Sequence, residues 1–156
     1  MNKVQDFELH CDLSVSNNVI NVNEVVNTVP YDICVCSERP DIVLVNRARR
    51  VLHIVELTVP FETNFVHAQR RKSDKYQRLI ADIEQVGYSV SFFSIEIGSR
   101  GVAAQGTCQT LRLITTASRA AVKSFVKEAA ACAAKCSHII FNCRKFTEFS
   151  TTSLIP

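Results

Sequence analysis

The chain has no tryptophan, and glycine and proline occur only four times each in 156 residues. That scarcity excludes collagen-like repeats and Pro-rich disorder. No run of about eighteen apolar residues is present, so no membrane span is expected. The opening residues, MNKVQDFELHCDLS, hold no apolar core of signal-peptide length. No glycine-rich phosphate loop is visible, and no helix-turn-helix or zinc-finger spacing. His53 and His67 have no motif-like nucleophile partner, so a serine or cysteine hydrolase finds no support. There is no internal repeat and no low-complexity linker.

What remains is the bulk composition of a globular protein, 47% apolar and 21% charged. Its length suits one domain with a real core, 1–156, the core running over about 31–114. The formal charge of +3 permits a nucleic-acid partner without demanding one. Its distribution is more informative. Arg39, Arg47, Arg49, Arg50, Arg70, Arg71, Lys72, Lys75 and Arg78 are nine of the eighteen basic residues and lie in one quarter of the chain. Seven cysteines without a secretory signal suggest reduced thiols in an intracellular compartment, used as small apolar residues.

Residues 1–30 fit a short strand or an irregular helix equally well. Tyr31–Cys36 (YDICVC) is β-branched and small enough for a first strand. After Pro40, Asp41–Asn46 and Val51–Val59 read as strands rich in Val, Ile and Leu, joined by the four-residue turn Arg47–Arg50. If Asn46 pairs with Val51, antiparallel register sets Asp41 opposite Glu56. Their Cβ atoms would then stand roughly 4.5–5.5 Å apart. Val43, Val45, Leu52 and Ile54 share that face, and Ile42, Leu44, His53, Val55, Leu57 and Val59 share the other. With both faces apolar, the strands belong in a sheet covered on both sides. Two facing carboxylates repel, but a divalent cation between them turns the penalty into a binding site.

Pro60 ends the second strand, and a helix is expected from Phe65 to Val86, capped by Thr63 or Asn64 and stopped by Gly87. Helical period puts Phe65, Tyr76, Leu79, Ile80 and Ile83 on one face, with Gln69 and Lys72 among them. A lysine aimed at a core is costly unless an anion waits there. His67, Arg71, Asp74, Lys75 and Arg78 form a second, polar face. Tyr88–Ile97 reads as a central strand, Gly98–Gly101 as a turn, Thr107–Ile114 as a short helix, and 117–143 as a long C-terminal helix. Its apolar stripe includes Val122, Phe125, Cys132, Ala133, Cys136, Ile139 and Cys143, and residues from Ser150 onward should fray. Cys132, Cys136, His138 and Cys143 do not match a zinc finger, so those cysteines read as core packing. Cys34 and Cys36, alternating across a strand, are poorly placed to share a ligand.

Arg39-Pro40-Asp41 followed by Glu56-Leu57-Thr58 resembles the PD-(D/E)xK, or restriction-like, nuclease superfamily. RPDIVLV, VELTVPFE, HAQRRKSDKYQRL and IEIGSRGV are similar, in order and spacing, to the endonuclease domain of non-LTR retrotransposons, over about Glu38 to Ile114. The resemblance implies an α/β fold with a restriction-endonuclease-like core, a small mixed sheet flanked by helices. It implies a nicking DNA endonuclease in which Asp41 and Glu56 bind Mg²⁺ or Mn²⁺. The superfamily's lysine two residues after the second acid is Thr58 here. Related retroelement enzymes take it from the next helix, in a K-x-x-K-Y stretch that is Lys72-Ser73-Asp74-Lys75-Tyr76 in this chain. Helical period favours Lys72 over Lys75 as that catalytic group. Glu24 and Glu38 are candidates for an additional acid, and Glu96 resembles a family position but has Arg100 nearby to pair with.

Arg47, Arg49, Arg50, Arg70, Arg71 and Arg78 are candidates for phosphate contacts, which position a duplex without reading its sequence; a solvated basic face is the plainer reading. DNA is the implied partner, in the nucleus, with a reverse transcriptase on the same polyprotein as a further one. Two other readings remain open: a catalytically decayed nucleic-acid-binding or assembly domain, and an α/β interaction domain whose acids are structural.

Overall fold

In the computed structural model, residues 6–11, 13–16, 19–22 and 28–147 are described. Glu24 and the stretch from Ser150 onward lie outside them. The chain is mixed α/β. Strand β1 is Glu8–Cys11, and β2 (Leu13–Ser16) and β3 (Val19–Val22) form a separate antiparallel pair. Then come β4 (Ile42–Asn46), β5 (Val51–Thr58), α1 (Phe65–Gln85), β6 (Ser89–Glu96), α2 (Thr107–Ile114) and α3 (Arg119–Thr147). The main sheet has the order β1-β4-β5-β6. Its first two pairings are antiparallel, and β5-β6 is parallel through the α1 crossover.

The β4–β5 hairpin has the register its loop length dictates, with Asn46 opposite Val51 and Ile42 opposite Val55. In the turn, Asn46 Oδ1 accepts the Arg49 amide at 2.9 Å. Arg50 takes φ 51°, the left-handed conformation that closes the loop. Strand alternation sends Val43, Val45, Leu52 and Ile54 into a fully buried core with Tyr76, Leu79 and Ile83 of α1. The opposite face packs Val55 and Ile95 against Leu111 of α2 and Val122 of α3. That side is less completely covered: Leu9, Ile42, Leu44, Leu57 and Phe125 line an apolar cavity of about 340 Å³.

Helix α1 ends in a Schellman motif. The Gly87 amide donates to the Glu84 carbonyl at 2.9 Å and Tyr88 N to the Ile83 carbonyl at 3.5 Å, with Gly87 at φ 88°. At the other end Asn64 holds the cap position without a side-chain hydrogen bond, because a 3₁₀ turn over Glu62–Asn64 leads into the helix instead.

Four expectations fail. Tyr31–Cys36 is turn and irregular chain, not a strand; Ile33 is buried in the core from it, with Cys34 and Cys36 packed alongside. Strand β6 lies at the edge of the sheet rather than its centre. Both its faces are covered, so its composition reads like that of an interior strand: Phe92 packs on the α1 side and Phe93 on the α2–α3 side. Arg100 pairs with Glu62, not Glu96, with Nε 2.8 Å from Oε2. The Gly98–Gly101 turn sits against Pro60, whose carbonyl accepts Ser99 N at 2.8 Å, and this brings Arg100 to Glu62. Finally, Cys132, Cys136 and Cys143 are exposed. At about 1.5 Å per residue, the 29 residues of α3 run to about 44 Å. An eight-residue strand such as β5 covers only about 26 Å. The helix is thus longer than the sheet it packs near, and Ile139, Ile140 and Phe141 are about half exposed, while Cys132 and Cys136 edge an apolar cavity beside Leu57, Val59 and Ile97.

Candidate functional site

Glu56 is the most deeply buried charged residue described, at 0% exposure. Burying a carboxylate is expensive unless it is paired and hydrogen-bonded, and Glu56 has three donors. Lys72 Nζ reaches Oε2 at 2.5 Å from α1. The Tyr76 hydroxyl donates to Oε1. The Asp41 backbone N–H, 3.3 Å away, also points at Oε1. Asp41 returns the contact one residue along: its Oδ2 accepts the Leu57 amide at 2.7 Å. Each acid thus holds a backbone donor of the other strand where the β4–β5 ladder ends. Lys72 and Tyr76, four residues apart on one face of α1, close the site from above.

Tyr76 is the residue that sequence reasoning undervalued. Helical period marks it only as a ring on the apolar stripe. Its hydroxyl, 3.1 Å from the Arg39 carbonyl, is a fixed member of the acid cluster. Burial, the hydrogen bond to Glu56 and the charges of Glu56, Asp41 and Glu38 push the phenol well above its ordinary range, so it stays a proton donor. The same charges place Glu38 within electrostatic reach of the cluster. Lys75 joins the cluster through the Tyr76 hydroxyl rather than through an acid: its Nζ donates to it at 2.9 Å and lies 4.6 Å from the Tyr76 ring centroid.

Glu96 lies on the same sheet face as Glu56, since register pairs Glu56 with Ser94 and Thr58 with Glu96. It is buried and accepts a hydrogen bond from Ser94 Oγ. It lines a separate polar cavity of about 340 Å³ with Gln69, Thr107 and Thr110. Among the described residues no group of three or more His, Cys, Asp or Glu side chains is arranged to hold a metal. Asp41 and Glu56 offer two carboxylates, the donor type a hard divalent cation takes, with further positions left to water and phosphate oxygens. The donor set fits Mg²⁺ in kind, and an ion would compete with Lys72 for Glu56 Oε2.

The basic residues divide into two groups. Arg47 is held by acids, its Nε 3.0 Å from Glu8 and its guanidinium paired with Asp32. Arg49 lies 3.6 Å from Asp6, and Arg50 Nη1 donates to the Val86 carbonyl at 3.2 Å. Arg70, Arg71 and Arg78 are exposed along α1. No helix of the described residues is long and apolar enough to cross a membrane. No protein-family model matches the chain, and no curated protein matches it either.

Proposed function

We propose that this chain is a metal-dependent DNA endonuclease domain with a restriction-like core, derived from a retroelement, which hydrolyses a phosphodiester bond and leaves a nick. The observation that supports this reading best is the meeting of Asp41, just before β4, with Glu56 of β5 and Lys72 of α1 at the end of the β4–β5 ladder. Asp41 and Glu56 would hold Mg²⁺ or Mn²⁺, which when bound supplies Lewis-acid activation of water and neutralises charge developing on phosphate. Lys72 balances Glu56 in the resting site and adds positive charge where the phosphate's charge grows. Tyr76 and the Leu57 amide fix the two carboxylates, so their orientation is set before substrate arrives. Arg70, Arg71 and Arg78 lie on the helix that carries Lys72 and would contact the backbone phosphates.

A second reading has its own observation. Thr58 stands where the superfamily keeps its lysine, and Lys72 is already committed to Glu56. A decayed site that retains the fold and binds nucleic acid, or serves in assembly, fits that pairing.

Supercoiled plasmid incubated with the protein and Mg²⁺ or Mn²⁺ should be nicked, and Asp41→Ala or Glu56→Ala should abolish the nicking. Nicking that survives both substitutions sinks the assignment. DNA retained without any nicking favours the second reading. No retention even at low salt, where phosphate contacts are strongest, removes both.

A further inference from the structure

Helices α2 and α3 carry a charge imbalance that the rest of the chain does not share. Residues 107–147 hold seven Lys and Arg side chains against one acid, Glu128, a net of +6. The whole chain is +3, so the remainder is −3. Arg119, Lys123 and Lys127 follow one another at intervals of four and form one row along α3. The row edges two adjoining hollows, of about 540 and 350 Å³, which share Cys108 and Lys123. Arg100 and Lys127 line the first, Arg112 and Arg119 the second, and no acid lines either. Arg100 is held by Glu62, but among the described residues no acidic side chain pairs with Arg112 or with the row. Glu128 accepts a hydrogen bond from Ser124 instead. A solvated helix face usually interleaves both signs, and like charges four apart destabilise a helix unless an anion covers them.

We propose that this groove is a docking surface for the phosphate backbone of duplex nucleic acid, separate from Arg70, Arg71 and Arg78. Its charge density matches that polymer. At about 1.5 Å per residue the row from Arg119 to Lys127 spans about 12 Å. Over that length each strand of a duplex presents about three or four phosphates, one per about 3.4 Å. A single strand is held by aromatic stacking as well as charge, and no aromatic ring lines either hollow. A membrane-surface helix turns its apolar side outward into the lipid, whereas Val122 and Val126 of this stretch pack toward the sheet. Contacts to phosphate position a duplex without reading its sequence. Helices α1 and α3 cover opposite faces of the sheet, so the groove takes a different segment of duplex from one lying on α1. It does not rest on the nuclease reading, since it requires binding and no cleavage.

The probe is a short duplex of arbitrary sequence, bound to the full chain over a range of salt with divalent metal withheld so that no cleavage intervenes. Arg119→Ala/Lys123→Ala/Lys127→Ala should flatten the slope of log K against log salt by up to about 2.7, at about 0.9 per phosphate contact. Lys135→Ala, on the same helix but outside both hollows, should leave the slope unchanged. All four side chains are exposed on a helix, so alanine keeps the fold. Cys108, exposed where the hollows meet, gives a local readout. Its alkylation should slow several-fold when duplex is bound, and that of Cys143, farther along α3, should not. A slope unchanged in the triple variant overturns the groove, whatever variants of Arg70, Arg71 and Arg78 do. Equal alkylation of Cys108 with and without duplex overturns it too. A Lys135→Ala effect as large per charge as that of the row shows a diffuse basic field and has the same consequence. So does loss of binding to phosphatidylserine vesicles or polyglutamate in the triple variant while duplex binding is kept.

Discussion

His53 sits half-buried on β5, stacked on Phe7 at 5.1 Å between ring centroids and edge-on to Phe93 at 5.4 Å. Burial holds its imidazole below its ordinary value, partly offset by a backbone contact with Leu52. The unfolded chain therefore binds a proton more readily than the folded one just below the ordinary histidine pKa of about 6.5. The stabilisation is complete above that pH and is lost as pH falls through it. Urea midpoints at pH 7.5 and 5.5 should differ more for the native chain than for His53→Phe, which keeps the ring stack and removes the titration. At the acid cluster, Lys72→Met leaves Glu56 buried without its cation and should cost about 3 kcal/mol, read as a lower urea midpoint. Adding Glu56→Gln should recover part of the loss. Lys72 was legible in the sequence because helical period alone placed it on an apolar face, where a charge needs a partner. The hydroxyl of Tyr76 was not, because period assigns a side chain to a face and says nothing of what its far end touches. The acid partners of Arg47 were equally hidden: Glu8 and Asp32 reach it only through the pairing of β1 with β4 and the turn after Pro30.

Among the elements, α1 depends most on a single residue for its end. Gly87→Ala places a Cβ at φ 88°, where L-residues are strained, and 2.8 Å from Arg50 Nη1. The arginine tip can move, so the backbone term dominates, and a loss of about 1–2 kcal/mol is expected in thermal or urea unfolding. Elements were legible where pattern and punctuation agreed. Val- and Ile-rich runs flank a turn of fixed length in β4 and β5, and the stripe of α1 ends at its glycine. They were not legible where the property is non-local. Whether β6 lies at the edge or the centre depends on strand order, and a strand covered on both faces looks the same in either place. The stripe of α3 marks a face but not how closely it packs: Cys132 and Cys136 edge an apolar cavity beside Leu57, Val59 and Ile97 and stay exposed.

For the molecule as a whole, the division among the arginines gives a salt-dependence test of the proposed DNA contact. Each phosphate contact contributes about −0.9 to the slope of log K against log salt on duplex DNA. Replacing Arg70, Arg71 and Arg78 by alanine should flatten that slope by about 2.7 if all three touch phosphate. Arg47→Ala should change it little, because Glu8 and Asp32 already neutralise that residue. The acid cluster also bears on the order in which the chain folds. Asp41 and Glu56 meet across a hairpin with a four-residue turn, which closes in about 1–10 μs. Lys72 and Tyr76 arrive only when the α1 crossover docks for the slower parallel pairing of β5 with β6. In that interval the nascent hairpin carries two facing negative charges with no cation to balance them. Lys72→Met should therefore act mainly on the unfolding limb of a chevron, whereas Glu56→Gln should accelerate the folding limb by relieving repulsion that the native state has already quenched.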